Sequence, residues 1–264
     1  MRKVMTDLLI FTIAVVALGL GGVIGPGRMP TSEGLGRRTQ CASNLRNIVL
    51  GVLQYAGNEG SLPTGTWPNA SLPPEKRLSW YAAILPYIEC QDLRNQLDLT
   101  QTWDGASNQP IAGTPIGLLR CPDVRDGHPA GPMPTPYIGI AGVGTDAPIL
   151  DKKDPRAGVF GYDRRTTLAD IKDGTSSTLV IAESRRVAGT WLTGGWATVR
   201  GLDPADQPYV GPGRQFGGIG PAGAMNAAFA DGSVRSIRQS IDPKILEALS
   251  TKAGGEALPP GLFP

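Results

Sequence analysis

The chain has 264 residues, of which 36 are Gly and 24 Pro, a share just under the roughly 25–30% at which aperiodic Gly/Pro richness reads as disorder. Residues 1–40 hold five basic and two acidic groups and the remainder 20 basic and 21 acidic, so the formal charge of +2 belongs to the N-terminus of an otherwise neutral chain. A neutral body excludes the basic face of a nucleic-acid-binding protein, and a single histidine, His128, excludes any site that needs two.

Residues Leu8–Ile24 read LLIFTIAVVALGLGGVI, 17 residues without a charge behind Arg2 and Lys3. At about 1.5 Å per residue they span roughly 25 Å, the short end of a bilayer crossing. Residues 1–24 are therefore expected to be an N-terminal membrane anchor, with the N-terminus cytoplasmic and the body exported across the inner membrane. The alternative is a cleaved signal peptide, with Ala17 and Gly19 as the small residues a peptidase reads, and a secreted body. Residues 25–36, GPGRMPTSEGLG, read as a linker, because Pro26, Pro30 and the glycines disfavour helix. The remainder, 37–264, reads as one exported domain.

From Arg37 to Ala56 the apolar residues Cys41, Leu45, Ile48, Val49, Val52 and Tyr55 recur at helical spacing, with Gly57 and Gly60 as stop signals. A second helical stretch is expected over Trp80–Leu97, interrupted at Pro86. Residues 101–165 are loop-dominated, with short strand candidates at Tyr137–Val143 and Gly158–Tyr162. Strands are expected at Thr178–Glu183 and Thr190–Val199, which are rich in β-branched and aromatic residues. Asn226–Ile237 predicts a hairpin turning in type I′ geometry at Asp231-Gly232. Asp242–Leu249 predicts a closing helix with Asp242 as N-cap and Pro243 in its first turn. The fold class is α+β, helices first and antiparallel strands after, without an internal repeat.

Cys41, Cys90 and Cys121 lack the CxxC spacing of a zinc or redox site. Outside the cytoplasm they predict one disulfide and one leftover thiol, with the pairing open. His128 lies among Pro and Gly and reads as a solvated loop residue, and the five tryptophans read mostly as core. Asp173-Gly174-Thr175-Ser176 reads as a turn in which Asp173 accepts backbone N–H groups. The other reading is oxygen ligation of calcium by Asp173 with Asp231, Glu183 or Asp123, although no EF-hand spacing is present. No other cofactor is implied.

Five ordered blocks carry a resemblance. They are Gly36-Arg37-Arg38-Thr39-Gln40-Cys41 with Asn44-Leu45, Trp80 through Glu89, and Leu119-Arg120-Cys121-Pro122-Asp123. The fourth is Ile171 through Thr178 with Glu183 behind it, and the fifth Asn226 through Arg235 with Phe229, Asp231 and Gly232. Together they resemble a bacterial pseudopilin-like family of unknown function, the prepilin-type-processing-associated His-x9-Asp-Gly proteins. The resemblance covers about residues 36–257 and implies a pilin-like ectodomain, an amphipathic helix packed on an antiparallel sheet. It also implies pairing of Cys41 with Cys121, which both stand in family blocks whereas Cys90 does not. Two departures stand out. The family's name-giving histidine falls here on Pro221, and Met5-Thr6-Asp7-Leu8-Leu9 carries Asp7 where a prepilin has Glu, without a Gly-Phe cleavage site. The function implied is a non-enzymatic, membrane-tethered envelope protein of a type II secretion or type IV pilus-like system, contacting the membrane through residues 8–24 and other envelope or pseudopilin-like proteins. A glycan-binding module or hydrolase of the envelope is the competing class.

Overall fold

A computed structural model describes residues 32–122, 134–217 and 224–262. The expected anchor, most of the linker, His128, Asp123 and Pro221 lie outside the described residues. Among the described residues no helix is long and apolar enough to cross a membrane.

Helix α1 runs over Ser32–Glu59, longer at both ends than its apolar stripe. It absorbs Ser32–Gly36, five residues expected in the linker. Adding a residue to an existing helix gains a hydrogen bond at little cost, whereas nucleation is costly, so an anchored helix extends through two glycines. Gly60, at φ 72°, ends it. The Trp80–Leu97 stretch splits into α2 (Tyr81–Ile84), a 3-10 turn (Leu85–Ile88) and α3 (Gln91–Gln96). Pro86 stands in that turn, and Glu89 at φ 61° breaks the path before α3. Helix α4 is Gln109–Ala112. Helix α5, Pro243–Ser250, starts as expected, with Asp242 accepting from the Lys244 N–H at 2.8 Å.

Five strands form one sheet: β1 (Tyr137–Val143), β2 (Leu179–Glu183), β3 (Val199–Leu202), β4 (Met225–Phe229) and β5 (Val234–Ile237), in the order β3-β1-β2-β4-β5. Three pairings are antiparallel but β1–β3 is parallel, which corrects the all-antiparallel expectation. In the β1–β2 register Tyr137 faces Glu183, so β2 ends where β1 begins. The chain then passes to the free side of β1 and must leave in the same direction. The strand expected at Thr190–Val199 is a correction too. Gly194 and Gly195 turn the chain into a 3-10 element (Gly195–Ala197) against a second one at Pro74–Lys76. Its β-branched residues reflect burial rather than extended pairing. Gly158–Tyr162 is not a strand, though Gly158 and Phe160 donate to the Ala141 and Ile140 carbonyls of β1.

The sheet is buried on both faces. One face carries α1 through Cys41, Leu45, Ile48, Val49 and Val52, together with Trp80, Tyr81 and Trp191. The other carries Leu246 and Leu249 of α5 with Tyr209, Val210 and Phe216 of a long loop. The β4–β5 hairpin does not use a type I′ turn. Gly232 alone takes a left-handed φ, 82°, Gly232 N–H donates to Phe229 O and Phe229 N–H to Ser233 O, a three-residue loop with a glycine bulge.

Candidate functional site

The motif residues converge on two places. Beneath α1, Cys41 and Cys121 form a disulfide with Cα atoms 5.1 Å apart, and Cys90 is free. Burial, with the Glu89 charge beside it, pushes the Cys90 thiol pKa up, away from a reactive thiolate. Beside the disulfide lies the buried Glu183 at the end of β2. Its carboxylate accepts from the Asn226 N–H at 2.8 Å and from Asn226 Nδ2 at 3.1 Å, joining two family blocks. Tyr137, opposite Glu183, donates its hydroxyl to the Cys41 carbonyl at 3.2 Å, and Asn44 donates to the Arg120 carbonyl at 2.8 Å. The Cys41 and Cys121 sulfurs and a Glu183 oxygen lie within 4.8 Å of one another, but both sulfurs are engaged in the disulfide.

The second place is the Asp-Gly turn. Asp173 Oδ2 accepts from the Gly254 N–H at 2.8 Å and Oδ1 from the Gly255 N–H at 3.0 Å, so the turn clasps the C-terminal Gly-Gly. Gly174 sits at φ 95°, where a side chain is strained. Asp231 accepts from Ser233 and pairs with Arg235, and its own N–H donates to Thr175 O, joining the hairpin tip to the Asp-Gly-Thr-Ser turn. Asp173, Asp231 and Glu183 are thus held apart, each by its own donors. Among the described residues no three-donor metal group contains Asp173 or Asp231.

A third constellation escapes the motifs. Arg200, in edge strand β3 and only 3% exposed, stacks its guanidinium 3.7 Å from the ring centre of Trp196, one helical turn earlier in sequence. It donates to the Trp196 carbonyl at 2.9 Å, to the Ala197 carbonyl at 3.4 Å and to Ser184 Oγ at 3.2 Å. Burial, with the charge of Arg186 nearby, holds its pKa down to about 9. Ser184, itself buried, donates to the Gln215 carbonyl and accepts from the Arg186 N–H, gathering three segments. Arg186 and Arg214 share one carboxylate, Asp206. The Trp-x-x-x-Arg spacing was the only trace of this in the sequence.

Near the start of α5's trailing segment two further cations are buried. Arg164 donates to the Ala141, Ala147, Leu150 and Phe160 carbonyls, and its Nε has no partner among the described residues. Lys252 donates to the Lys152 and Ala157 carbonyls, and burial together with Arg164 lowers its pKa to about 8. Arg164 lines an open cavity of about 610 Å³ with Ile149, Lys152, Tyr162 and Asp163. Its partners are four carbonyls from three different stretches of chain, the geometry of a clamp rather than of a ligand site.

Among known families, the one described as Protein of unknown function (DUF1559) matches residues 35–210. No curated protein and no solved structure matches the chain.

Proposed function

Because the chain belongs to the DUF1559 family of proteins of unknown function, we propose that it is an exported, membrane-tethered, pseudopilin-like envelope protein that works through contacts with other macromolecules rather than by catalysis. The observation that carries the reading is the Cys41–Cys121 disulfide, because such bonds persist in oxidising compartments outside the cytoplasm. The layout supports it: a long helix lies on a sheet, and between Gly34 and Gln40 no α1 residue is buried ahead of Cys41. A first stretch of helix without a buried residue suits a domain carried on a tether at residues 8–24. Its partners are envelope proteins of a type II secretion or type IV pilus-like system.

The test is alkaline carbonate washing of membranes from cells expressing the full chain, with mass spectrometry of the mature N-terminus. The chain stays with the membrane and keeps an uncut start. Full-length protein in the soluble wash would overturn the tether, and a cut near residue 19 would replace it with secretion.

A further inference from the structure

The register of the sheet shows from which end of the domain α1 starts. Ala182 faces Ala227 in the β2–β4 pairing, and Asn226 faces Ser236 in the β4–β5 pairing. The end of β2, the start of β4 and the end of β5 therefore lie at one end of the sheet. Helix α1 begins at that end and runs toward the other. Tyr137, which opens β1 opposite Glu183, donates to the Cys41 carbonyl, whereas Leu50 and Leu53 lie beside Gly232 at the hairpin tip. Arg38, three residues nearer the start of α1 than Cys41, donates to Ser236 Oγ at 3.3 Å.

That end carries arginines without counter-charges. Arg38 and the exposed Arg238, which follows β5, line an open cavity of about 570 Å³ with Ser236 and Gln239, and no described carboxylate lines it. Arg185, two residues past the end of β2, is exposed as well. Among the described residues none of these three guanidinium groups has an acidic partner. The acids nearest along the chain are engaged elsewhere. Asp206 is shared by Arg186 and Arg214, and Glu183 is turned into the core onto Asn226. Asp242 caps α5, and Glu247 takes Lys244 and the Tyr209 hydroxyl. Glu33 is matched in charge by Arg37 on the same helix.

Unpaired guanidinium groups at an open cavity attract an anion, and phosphate oxygens match their forked donors. The path of the chain selects the source of that phosphate. The uncharged stretch 8–24 ends eight residues before Ser32, and eight residues reach at most about 27 Å. The end from which α1 starts is thus the end that a tether keeps within reach of a bilayer. Leu35, 50% exposed and three residues from Arg38 on the same helix face, adds an apolar contact there. We infer that this end of the domain docks on the membrane, with the Arg38–Arg238 cavity receiving the phosphate of an anionic phospholipid headgroup. Arg185 adds to the attraction from beside it. The inference rests on the reading of residues 8–24 as a tether.

The test reconstitutes the full chain into vesicles of phosphatidylcholine, with or without phosphatidylglycerol, and labels arginines with phenylglyoxal, read by peptide mass spectrometry. Phosphatidylglycerol slows labelling of Arg38 and Arg238 about fivefold, the attraction of one arginine for an anionic surface. Arg46, exposed on α1 beyond Cys41, is labelled at the same rate in both vesicles. The protection disappears at about 1 M salt, where the screening length is about 3 Å. Arg238→Gln reduces the protection of Arg38 and leaves the thermal midpoint near that of the parent, because its side chain is exposed. Incorporation into both vesicles with equal labelling would overturn the docking and leave the tether standing. Flotation only with phosphatidylglycerol vesicles would remove the tether and keep the docking, and flotation with neither would remove both. Equal protection by inorganic phosphate over phosphatidylcholine vesicles would reassign the cavity to a soluble anion and overturn the inference.

Discussion

Asp173 does chemically what its sequence context suggests, but with partners no local reading could name. A carboxylate followed by Gly, Thr and Ser predicts an acceptor of backbone N–H groups, and it is one. The donors, however, are Gly254 and Gly255, some 80 residues on. Charged hydrogen bonds of this kind contribute about 1.5–3 kcal/mol each when their loss leaves donors unmet, less where solvent replaces the partner. Asp173→Ala is therefore expected to cost about 1–3 kcal/mol in all, read as a lower denaturant midpoint, with faster hydrogen exchange at the Gly254 and Gly255 amides. Asp173→Asn, which keeps one carbonyl acceptor, loses less. Unchanged exchange in Asp173→Ala would show that the clasp does not hold the tail. Trp196 is the reverse case. Apart from the arginine four residues on, nothing in its immediate sequence separates it from the four tryptophans that pack inward, since only the three-dimensional path of the chain decides which rings reach the core.

At the scale of elements, α1 and its staple organise one face of the sheet. The apolar stripe was legible because helical period places Cys41, Leu45, Ile48 and Val52 on one side, and the same residues are buried. The start of the helix was not, because Gly34 and Gly36 are weak negative evidence once a helix is already nucleated. The disulfide connects residues 80 apart and so restricts a large part of the unfolded chain. Replacing both cysteines with serine is expected to lower stability by about 2–4 kcal/mol, read from denaturant unfolding of the oxidised parent and the variant. An unchanged midpoint would mean that the packing of α1 on β4 holds the helix without it. Similarly, β1, β2 and the β4–β5 hairpin were readable within a residue or two, whereas β3 was misplaced. Its preceding segment is β-branched but fully occupied with packing against the Pro74–Lys76 turn, which outweighs strand propensity.

For the whole molecule, the electrostatic cost lies in buried cations. Lys252 is 1% exposed, donates to the Lys152 and Ala157 carbonyls and lies beside Arg164, with the charges of Asp170 and Asp151 only partly offsetting its burial. Its pKa falls from 10.5 to about 8 in the folded protein. Below about pH 8 both states carry the proton and the folded state bears the full penalty of burying it. Between about pH 8 and the unfolded value the folded lysine is neutral while the unfolded one is still charged, so stability rises with pH. The rise ends near pH 10, where unfolded tyrosines ionise while the buried Tyr81 and Tyr137 resist doing so. Thermal midpoints measured from about pH 7.5 to 9.5 should therefore climb for the parent and be flatter for Lys252→Met, which keeps the side-chain length without the charge. A variant as steep as the parent would place the titration elsewhere.

By itself the sequence determined the α+β class, the amphipathic helix, the closing helix and most strand positions, because these follow from periodicity and capping within a few residues of chain. Through family resemblance it also pointed to the Cys41–Cys121 pair. The parallel placement of β3, the clasp between Asp173 and the glycines Gly254 and Gly255, and the separation of Asp173, Asp231 and Glu183 were decided only by the tertiary structure. Each is a relation between segments whose spacing along the chain carries no information about their distance in space.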